Sequence, residues 1–256
     1  MDQNQSSITS ILGDKVNNED SSFSNEEQVA YGSENKDAIV RGDNAEVPVS
    51  IEHIKLLGRG YEGEAFLSNV TVKETGRRLL MVHKVLISQE GKSKFVEICR
   101  TMREAGLDVL DNFWIVDDGL LMDDLTNNGA NTVISLNDVN MPSYRGMISS
   151  NPVGLELFRS IDLDAIEQFY LENQIELANK QGIHFQFPDS WFIVVEPSGS
   201  ARIVPVDCQY IEYVPGVAGM SELGNLNKRN FSQFIDRLRI MQRGEFPLEL
   251  IENRDA

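Results

Sequence analysis

The pattern that most narrows the possible folds is a glycine cluster, Gly58-x-Gly60-x-x-Gly63, with strand-like sequence on both sides. The same spacing in a dinucleotide-binding fold must open a helix. Here Glu64-Ala65-Phe66-Leu67 continues as strand, so the glycines cap a hairpin. Residues 54–57 form the strand before it, residues 65–72 the strand after it, and Thr75-Gly76-Arg77-Arg78 the next turn. Residues 79–87 are a third, strongly apolar strand interrupted only by His83 and Lys84. An ammonium in such a setting requires a partner or an escape to solvent. A glycine-rich hairpin can fold over phosphates and offer backbone N–H groups without side-chain obstruction. It can equally be an ordinary turn.

The following segments alternate helix and strand. Phe95, Ile98, Cys99 and Met102 share one helical face, and Gly106 supplies the stop. Residues 112–116 and 120–125 read as two strands about the turn Asp117-Asp118-Gly119. Residues 127–154 mix Asn, Ser, Pro and Gly with short apolar pieces and have no clear periodicity. Leu163, Ile166, Tyr170 and Leu177 predict a long helix over about 162–180, stopped near Gly182. Residues 192–195 and 203–206 flank a hairpin turn, and Phe231, Phe234, Ile235, Leu238 and Met241 mark a last amphipathic helix.

Charge sets the boundaries. The 256 residues carry 23 Lys and Arg against 40 Asp and Glu, a formal charge of −17. Such acidity opposes sequence-independent nucleic-acid binding. Residues 1–47 are rich in Ser, Asn and acidic side chains, with apolar residues only singly placed, and read as a disordered tail. Residues 48–125 then form a first lobe and residues 126–256 a second. No apolar run approaches the roughly 20 residues a membrane-spanning helix needs. No basic-then-apolar leader is present, which points to a cytoplasmic protein, or to one secreted into a host cell without a cleaved signal. The tail's composition resembles the leaders of effectors injected by bacterial secretion machines. Two cysteines, Cys99 and Cys208, are too few for a disulfide scaffold.

The order of glycine hairpin, strand lysine, helix glutamate and two further strands resembles the N-lobe of the protein kinase superfamily. That resemblance implies an α+β, two-lobed protein-kinase-like fold, with a five-stranded antiparallel N-lobe sheet and a reduced, mainly helical C-lobe. It implies ATP and Mg2+ as cofactors, with Gly58, Gly60 and Gly63 over the phosphates and Ala65 above the adenine. Lys84 would neutralise the phosphates and Glu97 would hold Lys84, the spacing favouring it over Glu104. Met122 would stand near the gatekeeper, and the backbone of Asp123 to Leu125 would meet the adenine edge. Farther along, His184 matches the catalytic-loop histidine, Gln186 occupies the place of the catalytic aspartate, and Trp191 that of the metal-binding asparagine. Asp207, at a strand end, matches the magnesium ligand, followed by Cys208-Gln209 in place of Phe-Gly.

With Gln186 in that place, Asp189 is the candidate catalytic carboxylate and Gln186 the alternative polar group. The activity implied is ATP-dependent phosphoryl transfer to a protein, of the compact kind seen in bacterial effector kinases. The alternatives are a pseudokinase serving as a protein-interaction module, a nucleotidyltransferase or small-molecule kinase, and a mixed α/β interaction protein whose glycines are only turns.

Overall fold

The computed structural model of the chain describes residues 35–41, 46–60, 63–86, 90–127, 129–136, 146–149, 152–206, 211–244 and 248–250. They divide into two units. The first holds residues up to Ser93 together with Asp111–Asp124; the second holds Lys94–Leu110 and the residues from Leu125 onward.

The first unit is a closed antiparallel barrel. Its strands are β1 (Lys36–Arg41), β2 (Glu46–Gly60), β3 (Gly63–Val72), β4 (Arg78–Leu86), β5 (Phe113–Val116) and β6 (Gly119–Asp123), in the order β1-β2-β3-β4-β6-β5. Side chains alternate across each strand, so every second residue faces inward. Ala38, Val40, Val47, Val49, Ile51, Val70, Val72, Met81, Trp114, Val116 and Leu121 fill the interior. The expected turn forms between β3 and β4, where Val72 N–H donates to Arg77 O at 2.8 Å and Gly76 N–H to Val72 O at 2.8 Å.

Two expectations are overturned here. The five-stranded antiparallel N-lobe sheet is instead a closed barrel of six strands. Residues 1–34 and 42–45 lie outside the described residues, but of residues 1–47, read as a disordered tail, 36–41 and 46–47 are strand. Strand β1 lies inside that stretch, pairs along its length with β2, and meets β5 at Arg41↔Ile115, which closes the barrel. Burial of Ala38 (5 %) and Val40 (0 %) explains why a short apolar piece in an acidic, polar stretch is recruited.

The second unit carries more helix than strand, as expected of it, but its helices accompany sheets that a reduced helical lobe does not predict. It holds a five-stranded sheet in the order β11-β10-β7-β8-β13, formed by β7 (Thr132–Leu136), β8 (Gly146–Ser149), β10 (Trp191–Val195), β11 (Ala201–Pro205) and β13 (Leu248–Leu250). The β8 and β13 strands pair parallel, the others antiparallel. A second sheet pairs β9 (Ile183–Phe185) with β12 (Ile211–Tyr213). The two-lobed protein-kinase-like fold is therefore replaced by a six-stranded barrel and a mixed α/β unit.

The helices follow the expected periodicities. Helix α1 (Glu90–Glu104) buries Phe95, Ile98, Cys99 and Met102. Its end at Gly106 is closed by Leu107 N–H to Met102 O (2.9 Å) and Gly106 N–H to Arg103 O (3.0 Å), the two bonds of a Schellman motif. Helix α2 spans Pro152–Ser160. Asp162 caps α3 (Leu163–Tyr170) by accepting from Asp164 and Ala165 N–H. A π-helical turn, Leu171–Ile175, runs from there into α4 (Glu176–Gln181), which stops at Gly182. Helix α5 (Ser221–Gln242) buries Phe231, Phe234, Ile235, Leu238 and Met241. Among the described residues no helix is long and apolar enough to cross a membrane.

Candidate functional site

Strand register brings several of the candidates into one row. Gly58 pairs with Ala65, Ala65 with Lys84, and Lys84 with Leu120. His83, the neighbour of Lys84, is fully buried inside the barrel (0 %), so alternation puts Lys84 and its row partners on the outer face. Lys84 itself is half-buried. Met122, two residues from Leu120 on β6, pairs with Val82 on the same face and is buried.

The glycines differ in what they do. A Cβ at Gly63 would lie 1.9 Å from Val85 O, so β4 approaches too closely for any side chain. A Cβ at Gly58 would meet nothing within 4 Å, which leaves open space at that end of the row, whereas Leu120 at the other end is buried. Gly60 ends β2 and pairs with Gly63.

The remaining candidates stand elsewhere. Glu97 is exposed and belongs, like Gln186, to the second unit, whereas Lys84 belongs to the first. Asp123 N–H donates to Asn112 O (3.2 Å), and the Asp123 carboxylate accepts from Asn112 N and Nδ2 at 2.7 Å each. Burial raises the Asp123 pKa, and these Asn112 bonds oppose the rise. Leu125 O accepts from Asn131 Nδ2 at 3.0 Å. Two of the backbone groups expected to read an adenine edge, Asp123 N–H and Leu125 O, are thus engaged by their own neighbours.

In the second unit, an asparagine network pins residues 183–186. Asn227 Nδ2 donates to Ile183 O (2.8 Å) and Asn179 Oδ1 (2.7 Å), and Asn227 Oδ1 accepts from Phe185 N–H (2.9 Å). Asn230 Nδ2 donates to Phe185 O (2.7 Å) and Gln186 O (3.0 Å). Trp191 is core, with ring centroids 4.7 Å from Phe185 and 5.3 Å from Phe231. Asp189 lies in the short 3-10 turn Pro188–Ser190. Its side chain, and the whole of Asp207, lie outside the described residues.

A second constellation escaped the sequence reading. His83 Nδ1 lies 2.9 Å from His53 Nε2. His83 Nε2 lies 3.3 Å from Asp118 Oδ1, at an angle that leaves both buried atoms without a hydrogen-bond partner. Lys36 from β1 pairs with the same carboxylate. His53 stacks flat on Phe66, centroids 4.1 Å apart and planes within 5°. His83 and Lys36 hold the Asp118 carboxyl well below the usual range, while burial, then the His83 charge, lowers the pKa of His53. The only signal in the sequence was a histidine at an inward position of an apolar strand; its partners come from two other strands and a turn.

No protein-family model matches this chain, and no curated protein matches it in sequence.

Proposed function

We propose that the outer face of the barrel unit binds ATP, and that the chain passes the γ-phosphoryl group to a protein hydroxyl. The observation that supports this reading is the cross-strand row Gly58–Ala65–Lys84. A small side chain between a glycine and a lysine makes a shallow apolar strip ending in an ammonium, which suits a flat base with phosphates at one end. The open space at Gly58 is where a side chain would otherwise obstruct the ligand.

Bound ATP would supply the transferable phosphoryl group; Lys84 would hold its charge, and Gly58 and Gly63 would leave the hairpin clear. Among the described residues no group of three or more His, Cys, Asp or Glu side chains is placed to hold a metal ion. The Mg2+ expectation therefore rests on Asp207 and is tested by its substitution. A second reading, an interaction module that binds nucleotide without transferring it, is favoured by the amide of Gln186 where a carboxylate would serve and by the core position of Trp191.

Thermal unfolding with and without ATP and Mg2+ tests binding. At a hundredfold excess over Kd the wild type is expected to gain about 5 °C or more, and Lys84→Ala to lose that gain with unchanged far-UV circular dichroism. An unshifted wild type refutes the proposal. Label passing from γ-labelled ATP to protein in the wild type, and not in Asp207→Ala, supports transfer; binding without label leaves the interaction module.

A further inference from the structure

The paired imidazoles sit at one mouth of the barrel, between the β2–β3 hairpin, the end of β4 and the β5–β6 turn. Two ring nitrogens 2.9 Å apart share one hydrogen, one donating and the other accepting through its lone pair. With Asp118 ionised and both rings neutral, His83 keeps its hydrogen on Nε2, the nitrogen that faces the carboxylate at 3.3 Å without hydrogen-bond alignment, and accepts at Nδ1 from His53 Nε2–H. A first added proton can go to His53 Nδ1 without disturbing this chain. A second puts an N–H on both sides of the 2.9 Å gap, and the contact must break.

Strand β2 stays paired with β3 at this point but is irregular. Its register against β3 shifts between His53 and Lys55, and again between Leu56 and Gly58. Residues 53–58 therefore lack a regular ladder on that side, and the His53–His83 bond ties them to β4 across β3. The groups facing the pair come from every neighbouring element: Lys36 on β1, Glu64 and Phe66 on β3, and Asp118 on the β5–β6 turn. Lys36 and the ring charge of His83 oppose a proton on His53; Asp118 and Glu64 favour one.

We propose that the Lys36–Asp118–His83–His53 chain is a proton-operated latch on this mouth of the barrel, closed while the imidazole pair carries no more than one added proton. Acidification to double protonation releases residues 53–60, the arm of β2 that leads into the glycine hairpin. The latch stands independently of any nucleotide on the outer face.

Hydrogen exchange of the full chain at pH 7.5 and pH 4.5, corrected for intrinsic rates, reads the release. Amides of residues 53–60 are expected to lose protection about tenfold or more at pH 4.5, with little change in the second unit. In His53→Gln, whose side-chain amide can still donate to His83 Nδ1, the loss should vanish. Unchanged protection in the wild type, or an equal loss in His53→Gln, overturns the latch. Should that variant not fold, imidazole 15N titration of the wild type decides. Stepwise coupled protonation of His53 and His83, with the second step coinciding with loss of protection, supports it. Two independent titrations, each near about 6.5, overturn it.

Discussion

Tyr170→Phe deletes one oxygen and keeps the ring, which packs against Phe231 at a centroid separation of 5.7 Å. That oxygen accepts from Ile203 N–H at 3.0 Å, and its hydrogen faces Ile203 O at 2.8 Å and Asp108 Oδ2 at 2.9 Å. Ile203 is fully buried (0 %), so removing the hydroxyl leaves a buried backbone donor and a buried backbone acceptor without their side-chain partner. Each orphaned buried group costs about 1–3 kcal/mol, against which the phenylalanine recovers about 1 kcal/mol of hydroxyl desolvation. Asp108 is exposed and contributes little.

The expected loss is about 1–5 kcal/mol. It is read by urea unfolding in a Trp114→Phe background, where Trp191, 5.3 Å from Phe231, reports on the second unit. With a slope of about 2 kcal/mol per molar urea, the midpoint should fall by about 0.5–2.5 M at unchanged slope. Burial, reinforced by Asp108, raises the phenol's pKa, so the effect should be the same at pH 6 and pH 9. A shift below about 0.2 M would refute the reasoning. Asp108→Asn is the companion: a loss as large as that of Tyr170→Phe would move the effect from the buried backbone to the carboxylate.

Three further outcomes are expected. Gly119→Ala places a Cβ 2.0 Å from Lys84 O and must spread β4 from β6, costing about 2–4 kcal/mol, whereas Gly58→Ala should change stability by less than about 0.5 kcal/mol; calorimetric Tm values compare them. Asn227→Ala unties Ile183 O and Phe185 N–H from a fully buried amide, and should cost about 2–4 kcal/mol and speed exchange at the Phe185 amide. Because Asp118 has a folded pKa below its ordinary 3.8, the unfolded chain protonates there first as pH falls. Its contribution is complete above about pH 4 and lost below it, so the acid side of a urea-midpoint profile should flatten in Asp118→Asn.

What the sequence disclosed was local. The face Phe95, Ile98, Cys99 and Met102 is set by spacing alone, and all four side chains are buried. The turn at residues 117–119 and the β10–β11 hairpin depend on neighbours in the chain, and both form where expected. Strand β1 was missed because its few apolar residues become a strand only through partners on β2 and β5. The five-stranded sheet was missed because β8 finds β13 about a hundred residues later, a pairing with no local trace. At the candidate site, strand alternation turns the adjacent His83 and Lys84 to opposite faces. The sequence shows both interrupting an apolar strand, but not the group from β1, β2 and the β5–β6 turn in which the inward histidine takes part. The π-helical turn within the long helix also left no mark in its periodicity.

Closure of the barrel has a bearing on self-association. An open six-stranded sheet would present two rows of unpaired backbone N–H and C=O groups, which other chains can extend strand by strand. Here β1 pairs along the outer edge of β2 and reaches β5, which closes the sheet on itself. At β5 the cover is one residue pair, Arg41↔Ile115, seconded by the Arg41–Asp117 ion pair at 2.7 Å. A short strand from an acidic, otherwise polar stretch thus serves as a guard against aggregation, and its weakest stitch is the place where templated association would begin.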